Sequence, residues 1–248
     1  MSAGLTEEGP RLVACADAAG LVLRLFGGVA IWLRSTEQTR QALGRDYADL
    51  DFVAHKSSSR QLRELLEREA YVPERVFNAT HGASRLLYHA PDQSFHIDVF
   101  LDQFEMSHRL NLGRRLDTEQ VCLPAAELLL AKLQVAEINR KDLSDTAMIL
   151  LDHQPADADG PGLLNVAEVS VACAADWGLF TTVTDNLAAL ADIAGELPIG
   201  ADQLETMTER AESLRERLEW EPKSAAWKLR ARIGRRKRWY EVPEEVTR

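Results

Sequence analysis

The segment at residues 45–55, RDYADLDFVAH, places two acidic residues one residue apart inside an apolar run. Alternate side chains of an extended strand point to the same face, so Asp49 and Asp51 share one face while Leu50 and Phe52 share the other. Two carboxylates held side by side repel each other unless a cation lies between them. The segment therefore predicts a strand with one face in an apolar core and a pair of acids on the other face that calls for a cation.

A second strand that carries an acid follows further along the chain. Asp98 stands in HIDVF, where Ile97 and Val99 alternate with it and are expected to point into the core. An acid here could simply cap a turn at a strand end, but a buried carboxylate without a partner costs free energy. Three carboxylates on neighbouring strands can hold Mg²⁺, or two such ions, because Mg²⁺ prefers an octahedral shell of oxygen ligands. Surface acids and a magnesium site formed by Asp49, Asp51 and Asp98 are the two interpretations.

Two consecutive glycines, Gly27 and Gly28, follow a strand-like run at residues 21–26 and precede a helix-like run. Glycines at such a junction let backbone N–H groups and a helix N-terminus approach an anion such as phosphate. A Gly-Gly pair is also common in ordinary turns. By itself the pair leaves a phosphate site and a plain turn as alternatives.

The order of the elements indicates the fold class. Strand patterns fall before Pro124, and helix patterns dominate after it. The predicted strands are residues 21–26, part of 45–55, 84–90 and 94–102, and the predicted helices are residues 10–20, 29–35, 57–69, 123–138, 141–153, 165–178, 181–195, 201–220 and a basic helix after Pro222. This order predicts an α+β fold in which a mixed β-sheet is flanked by helices and followed by an all-helical C-terminal region.

The segment QPADADGPG at residues 154–162 is rich in Pro, Gly and Asp, which is typical of a linker. We therefore predict a first domain at residues 1–153 and a helical C-terminal domain at residues 163–248. The second domain contains a basic segment, residues 223–240, with eight Lys or Arg and no acid, although the whole chain has a net charge of −10. This uneven charge needs an explanation.

Composition and the chain start bear on location. No apolar run approaches the roughly 20 residues that span a bilayer. The start MSAGLTEEGP lacks the basic and apolar regions of a signal peptide. The three cysteines are far apart and in no metal-ligand spacing, which favours a reducing compartment. We expect a cytoplasmic protein without a membrane partner.

Taken together, FGG at residues 26–28, DLDF at 49–52 and HIDVF at 96–100 form a combined pattern. This pattern resembles the nucleotidyltransferases of the DNA polymerase β-like superfamily, over roughly residues 20–153. The later segments LLLAKLQ and INRKDLSD resemble most the branch that contains AbiE-type abortive-infection toxins. The resemblance implies a nucleotidyltransferase core that depends on Mg²⁺, with a two-ion site.

The resemblance also implies roles for individual residues. Asp49 and Asp51 would bind metal and the triphosphate, and Asp98 would complete the metal site and activate the attacking hydroxyl. Gly27 and Gly28 would hold phosphate through their backbone. Many members of the family have a serine after the glycine, where this chain has valine, so the help of that hydroxyl is absent.

Three later residues match the family segment that follows the sheet. Lys132 would reach the triphosphate, and Asp142 and Asp145 match the later acids of the family. For Lys132 the alternative is a helix lysine whose stem extends to solvent. For Asp142 and Asp145 the alternative is an ordinary solvated helix face with pairs three and four residues apart.

The basic segment has two interpretations. Lys and Arg give sequence-independent affinity for phosphates, and Trp227, Trp239 and Tyr240 are suited to stack on bases, which predicts a tRNA or RNA acceptor. The other interpretation is a solvated, partly disordered tail. A toxin of the AbiE type would also have an antitoxin protein as partner.

The leading hypothesis is an enzyme that moves a nucleoside monophosphate from an NTP to a hydroxyl of RNA, protein or a small molecule. The alternative is a catalytically inactive module of the same fold that binds nucleotide or nucleic acid. The presence of all three carboxylates favours the enzyme.

Overall fold

A computed structural model describes residues 3–242 of the chain. Residues 1–2 and 243–248, which belong to the predicted domains 1–153 and 163–248, lie outside the described residues. The chain divides into two compact units. The first unit comprises Met1–Arg34, Gly44–Phe104 and Leu110–Pro124, and the second comprises Ser35–Leu43, Glu105–Arg109 and Ala125–Arg248.

Within residues 3–242 the structure has helices α1 to α11 and strands β1 to β9. The helices are α1 (Ala3–Ala18), α2 (Gly27–Arg34), α3 (Glu37–Leu43), α4 (Ser59–Arg68), α5 (Arg75–His81), α6 (Ala125–Leu133), α7 (Arg140–Asp152), α8 (Val166–Ala175), α9 (Trp177–Ile193), α10 (Ala201–Trp220) and α11 (Ala225–Ile233). The strands are β1 (Leu23–Phe26), β2 (Asp49–Ala54), β3 (Val72–Pro73), β4 (Arg85–His89), β5 (His96–Leu101), β6 (Gln103–Glu105), β7 (Arg109–Asn111), β8 (Gln154–Ala156) and β9 (Leu163–Asn165). The α+β prediction is confirmed, with a mixed sheet among helices and a mainly helical C-terminal region.

The first unit is built on a five-stranded sheet in the order β1-β2-β5-β4-β3. Strands β2 and β5 pair in parallel, whereas β1 with β2, β4 with β5, and β3 with β4 pair antiparallel. The sheet is therefore mixed. The parallel pair, which carries all three predicted carboxylates, lies inside the sheet, with β1 on one side and β4 on the other.

One face of this sheet is apolar. The side chains of Leu50, Phe52, Ile97 and Val99 are fully buried, and they alternate along β2 and β5 with the acidic positions. Helix α1 packs on this side, because a Cβ at Gly9 would touch the side chain of Leu25, which lies opposite Phe52. The other face of β2 and β5 carries both the polar side chains and the buried Val53 and Phe100.

Helix α1 begins at Ala3, whereas the sequence predicts a start at Pro10. Pro10 lies inside the helix and cannot donate the usual backbone hydrogen bond there. The helix ends at Ala18, and Gly20 has a φ of 71°, the left-handed conformation that favours glycine after a helix. The predicted stop at Gly20 is therefore correct, and the predicted start is not.

The second unit consists mainly of helices α6 to α11, together with α3. Helix α7 packs against α3, α6, α9 and α10, and α8 packs against α6, α9 and α10. Helices α7, α8 and α9 are each preceded by a capping residue, namely Asn139, Asn165 and Asp176. Each capping side chain accepts a hydrogen bond from a backbone N–H of the first turn. These caps are local sequence signals for helix starts.

The Pro- and Gly-rich segment at residues 154–162 begins with the short strand β8. It lies within the second unit, and Gln154–Ala156 pair in parallel with Leu163–Asn165. The expectation that only helices follow this segment is wrong for β9. A division by compactness does not measure independent folding, so the domain ranges 1–153 and 163–248 stay a prediction.

The length and hydropathy of the helices between residues 3 and 242 bear on a membrane span. None of them is both long enough and apolar enough to cross a bilayer.

Candidate functional site

The three predicted carboxylates lie on one face of the sheet in the first unit. The parallel register of β2 and β5 places Asp51 directly opposite Asp98 and Asp49 directly opposite His96. Residues that pair across a sheet have side chains on the same face. The four side chains therefore form a two-by-two patch, which we call the acidic patch: Asp49, Asp51, His96 and Asp98.

Burial is unequal within the acidic patch. Asp98 is only 2 % exposed, whereas Asp49 and Asp51 are partly exposed. A buried carboxylate needs charge compensation or hydrogen bonds to remain ionised at low cost. Asp98 is the member of the patch for which partners matter most.

Arg85 supplies a partner for Asp98. Its Nε donates a hydrogen bond of 2.8 Å to Oδ1 of Asp98. Arg85 begins β4, the antiparallel neighbour of β5, and lies two positions along that strand from Leu87, which pairs with Asp98. The two residues lie on different strands, so the sequence did not identify Arg85 as the partner of Asp98.

His96 lies between two of the carboxylates. Its Nε2 is 3.6 Å from Oδ2 of Asp49 and 3.5 Å from Oδ2 of Asp98. When protonated, the imidazole would be a second cation in the acidic patch. The two-residue spacing of His96 and Asp98 on one strand is the sequence signal for this proximity.

The first glycine of the Gly-Gly pair lies against the acidic patch. Phe26 pairs with Asp51 across β1 and β2, and Gly27 follows with a φ of 68°. A Cβ at position 27 would overlap the carboxylate of Asp51. Glycine is therefore required here both by the backbone conformation and by the space that Asp51 occupies.

The second glycine meets a different neighbour. A Cβ at Gly28 would lie 2.6 Å from the ring of Tyr47 and 2.9 Å from Nη2 of Arg45. The Arg45 guanidinium in turn lies 4.5 Å from the centre of the Tyr47 ring. Arg45 and Tyr47 were not predicted as site residues, and their only sequence signal is their position just before β2. Phosphate binding by the backbone of Gly27 and Gly28 stays a prediction.

The donor chemistry of the acidic patch fits Mg²⁺, because it offers carboxylate oxygens from two adjacent strands. Within residues 3–242, however, no group of three or more His, Cys, Asp and Glu side chains is arranged so that it could hold a metal ion. The guanidinium of Arg85 is the cationic neighbour of Asp98. The metal roles of Asp49, Asp51 and Asp98 remain a prediction.

Lys132, Asp142 and Asp145 form one cluster in the second unit. The Lys132 ammonium lies 2.8 Å from Oδ1 of Asp142 and 2.9 Å from Oδ2 of Asp145. Burial by itself would lower the pKa of Lys132, but the two carboxylates raise it further than burial lowers it. Asn139 orients the cluster, because its side chain accepts from the backbone N–H of Asp142 and donates to Oδ2 of Asp142.

This cluster differs from a solvated helix face. The side chain of Asp145 is fully buried, and that of Lys132 is 14 % exposed. Lys132 therefore does not extend to solvent as one sequence alternative expected. The predicted contact of Lys132 with a triphosphate stays a prediction; the ammonium has three N–H donors, and two carboxylates contact it.

The basic segment at residues 223–240 is structured up to its last aromatic residues. Trp239 donates from Nε1 to Oγ1 of Thr182 and packs edge-on against Trp177. Arg235 lies over the Trp239 ring and forms an ion pair of 2.7 Å with Asp185. Further ring contacts join Trp227 to Phe180, and Tyr240 to Trp239 and Arg238.

These contacts bear on RNA binding. The aromatic rings that the sequence suggested for base stacking pack against side chains of the second unit. The exposed basic residues of the segment are Lys228, Arg232, Arg235, Arg236, Lys237 and Arg238. If the segment binds RNA, these Lys and Arg side chains are the groups available to contact its phosphates.

Comparisons with known proteins give matches among solved structures. No protein-family model matches the sequence, and no curated protein matches it. Among solved structures, the chain is similar to the solution structure of the antibiotic-resistance factor ANT(2'')-Ia, with a TM-score of 0.41 and 13 % sequence identity. The alignment covers 88 % of this chain and 97 % of that chain. A similarity of this level does not extend to activity.

Proposed function

We propose that this protein is a nucleotidyltransferase that moves a nucleoside monophosphate from an NTP to a hydroxyl acceptor. The observation that carries the proposal is the register that sets Asp51 opposite Asp98 on the polar face of the sheet, with Asp49 beside them. Asp98 is buried, and the partly exposed Asp49 and Asp51 add negative charge beside it that a bound cation would offset. A metal-assisted phosphoryl site is a use that fits these ligands.

In the proposed reaction, Asp49 and Asp51 hold metal and triphosphate, and Asp98 completes the metal site. Mg²⁺, when bound, offsets the negative charge of the carboxylates and the phosphates. The acceptor oxygen attacks the α-phosphorus, the bond to the leaving pyrophosphate breaks, and Asp98 takes the proton of the hydroxyl. The backbone of Gly27 and Gly28 contacts phosphate oxygens in this proposal.

Two further features bear on the acceptor and the partners. The exposed Lys and Arg side chains at residues 223–240 support an RNA acceptor such as tRNA. The resemblance of the Lys132 and Asp142 region to AbiE-type toxins supports a toxin that is held by an antitoxin protein. Growth arrest on expression, relieved by Asp98→Asn, is the result that the toxin role requires.

The class of reaction is tested with NTPs labelled at the α-phosphate. Each of the four is incubated with Mg²⁺ and with tRNA, total protein or a metabolite extract, and transfer of label is measured. Asp51→Asn and Asp98→Asn should each lower transfer by about 100-fold or more, since a metal-assisted step contributes several kcal/mol. Asp117→Asn, which changes an exposed acid of the same unit, should behave like the parent. Absence of label in every acceptor would rule the proposal out.

A binding module without catalysis is the second candidate. The observation that favours it is the ion pair of Arg85 with Asp98, which compensates the buried carboxylate without metal. RNA or nucleotide binding that is unchanged in Asp51→Asn, together with no transfer in the parent protein, would identify this second function.

A further inference from the structure

The guanidinium of Arg85 is fixed on the side of its Nε atom. That nitrogen donates to the buried Asp98 carboxylate at 2.8 Å. Two aromatic rings hold the group from its flanks, since its central carbon lies 5.0 Å from the centre of the Phe100 ring and 5.5 Å from that of Phe77. Cation–π contacts at these distances restrict the plane of a guanidinium. Arg85 is therefore pre-oriented before any ligand arrives.

The outer edge of the same guanidinium has a different environment. In the part of the chain that the structure describes, Arg85 bonds to Asp98 through Nε, and neither Nη group makes a hydrogen bond. The Arg85 side chain is 27 % exposed, whereas that of Asp98 is 3 % exposed. The two Nη groups thus form a fork of donors at the rim of the acidic patch, behind which the carboxylate is buried.

We propose that Arg85 is a phosphate-binding residue of this site: Nε stays on Asp98 while the two Nη groups bind oxygens of the substrate triphosphate. The inference rests on the proposed function, because the ligand is the triphosphate of the NTP. A planar guanidinium matches phosphate oxygens with two parallel hydrogen bonds, which a lysine ammonium cannot reproduce.

Other cations near the predicted site residues are engaged in ways that Arg85 is not. The Lys132 ammonium is held by the carboxylates of Asp142 and Asp145. The Arg45 guanidinium stacks on Tyr47 and contacts the backbone carbonyl of Asp46. Arg85 combines a fixed position, available donors and direct contact with a predicted catalytic carboxylate. Because Arg85 is hydrogen-bonded to Asp98, a phosphate bound to Arg85 would be held at a fixed place relative to Asp98.

The experiment measures binding of inorganic tripolyphosphate and of ATP by calorimetry, each with and without Mg²⁺. Variants are Arg85→Met, which removes the charge, and Arg85→Lys, which keeps the charge but loses the fork. Charge-assisted hydrogen bonds predict a loss of affinity of about 10- to 100-fold for Arg85→Met and a smaller loss for Arg85→Lys. Arg60→Met, which changes an exposed arginine on α4, is the matched control and should bind like the parent.

Folding is controlled separately, because Arg85→Met leaves the buried Asp98 without its partner. The double variant Arg85→Met/Asp98→Asn removes both charges and should recover stability while tripolyphosphate binding stays weak. If Arg85→Lys and the double variant both bind tripolyphosphate as tightly as the parent, the inference is overturned.

The two proposals fail in different ways. Label transfer that depends on Asp51, combined with normal nucleotide affinity in the Arg85 variants, overturns the role of Arg85 and leaves the transferase intact. Weak tripolyphosphate binding in those variants, combined with no label transfer in the parent, supports the phosphate site and overturns the transferase. A parent protein that binds neither tripolyphosphate nor ATP overturns both.

Discussion

The backbone of Gly27 and the carboxylate of Asp51 occupy adjoining space, so that a side chain at position 27 would displace Asp51. The contact arises because β1 ends opposite Asp51 and the chain turns at once into α2. The Gly-Gly pair therefore has a role that does not depend on any ligand. It leaves room for one of the acids on which the proposed chemistry depends.

Replacement of Gly27 by alanine should disable the site and destabilise the protein. The φ of 68° and the overlap with Asp51 both disfavour a Cβ, with an expected cost of about 1–3 kcal/mol. Urea unfolding and label transfer are the measurements. Gly4→Ala is the control, since a Cβ there meets no atom within 4 Å. A Gly27→Ala protein that is as stable and active as the parent would contradict the role assigned to this contact.

Magnesium should stabilise the parent protein through the acidic patch. A ligand present at ten times its Kd adds about 1.4 kcal/mol, or roughly 3–6 °C in Tm for a chain of this size. Calorimetry with EDTA and then with Mg²⁺ measures the shift. Asp49→Asn and Asp51→Asn should reduce it. An equal shift in these variants would place the effect elsewhere on the protein.

Lys132→Met should be among the most destabilising single changes in the second unit. It would leave Asp145, which is fully buried, without its cation, and broken buried ion pairs cost about 3–5 kcal/mol. Lys141→Met, on the exposed side of α7, should change the free energy of unfolding little. If Lys132→Met instead keeps its stability and raises the KM for NTP, the predicted triphosphate contact of Lys132 gains support.

The stability of the second unit should decrease as the pH falls below the ordinary histidine pKa. Burial lowers the pKa of His108 below 6.5, and the nearby carboxylate of Asp176 opposes this only in part. The unfolded chain then binds more protons than the folded chain between the folded pKa and 6.5. Stability is therefore complete above pH 6.5 and is lost progressively towards the folded pKa.

The slope of this dependence is at most about 1.4 kcal/mol per pH unit. Hydrogen bonding agrees with a neutral His108 ring. Because Nε1 of Trp239 can only donate, Oγ1 of Thr182 accepts from Trp239. The hydroxyl proton of Thr182 is then available to Nε2 of His108. Urea unfolding from pH 5 to pH 7.5 tests the expectation. His108→Gln should flatten the curve, and an unchanged curve in this variant would assign the dependence to other groups.

The basic segment should bind RNA through charge and not through base stacking. The triple variant Lys228→Ala/Arg232→Ala/Arg236→Ala removes three exposed basic side chains and should weaken RNA binding. If each contacts one phosphate of a single strand, the slope of log affinity against log salt concentration should fall in magnitude by about 2. Trp239→Ala should mainly reduce stability, because its ring packs on Trp177. RNA binding that survives the triple variant with an unchanged salt slope would exclude this surface.

Several features of the fold could be predicted because they depend on neighbouring residues. The alternation in DLDF assigns Asp49 and Asp51 to one face, and the helix patterns after Pro124 are local. The strand pairing at the two ends of the segment 154–162 could not be predicted in this way. Pro and Gly are local signals for irregular chain, but the pairing of β8 with β9 depends on a second strand.

The sequence by itself determined which face of its strand each acid occupies, because the side-chain period of a strand is a property of the local backbone. Only the tertiary structure decided that β2 lies parallel to β5 with Asp51 opposite Asp98, and that Arg85 reaches Asp98 from β4. Strand register is set by burial of the whole apolar face, which involves residues far apart in the chain. The partners of Lys132 likewise depend on tertiary contacts, because Lys132 lies on α6 and its carboxylate partners lie on α7, which packs against it.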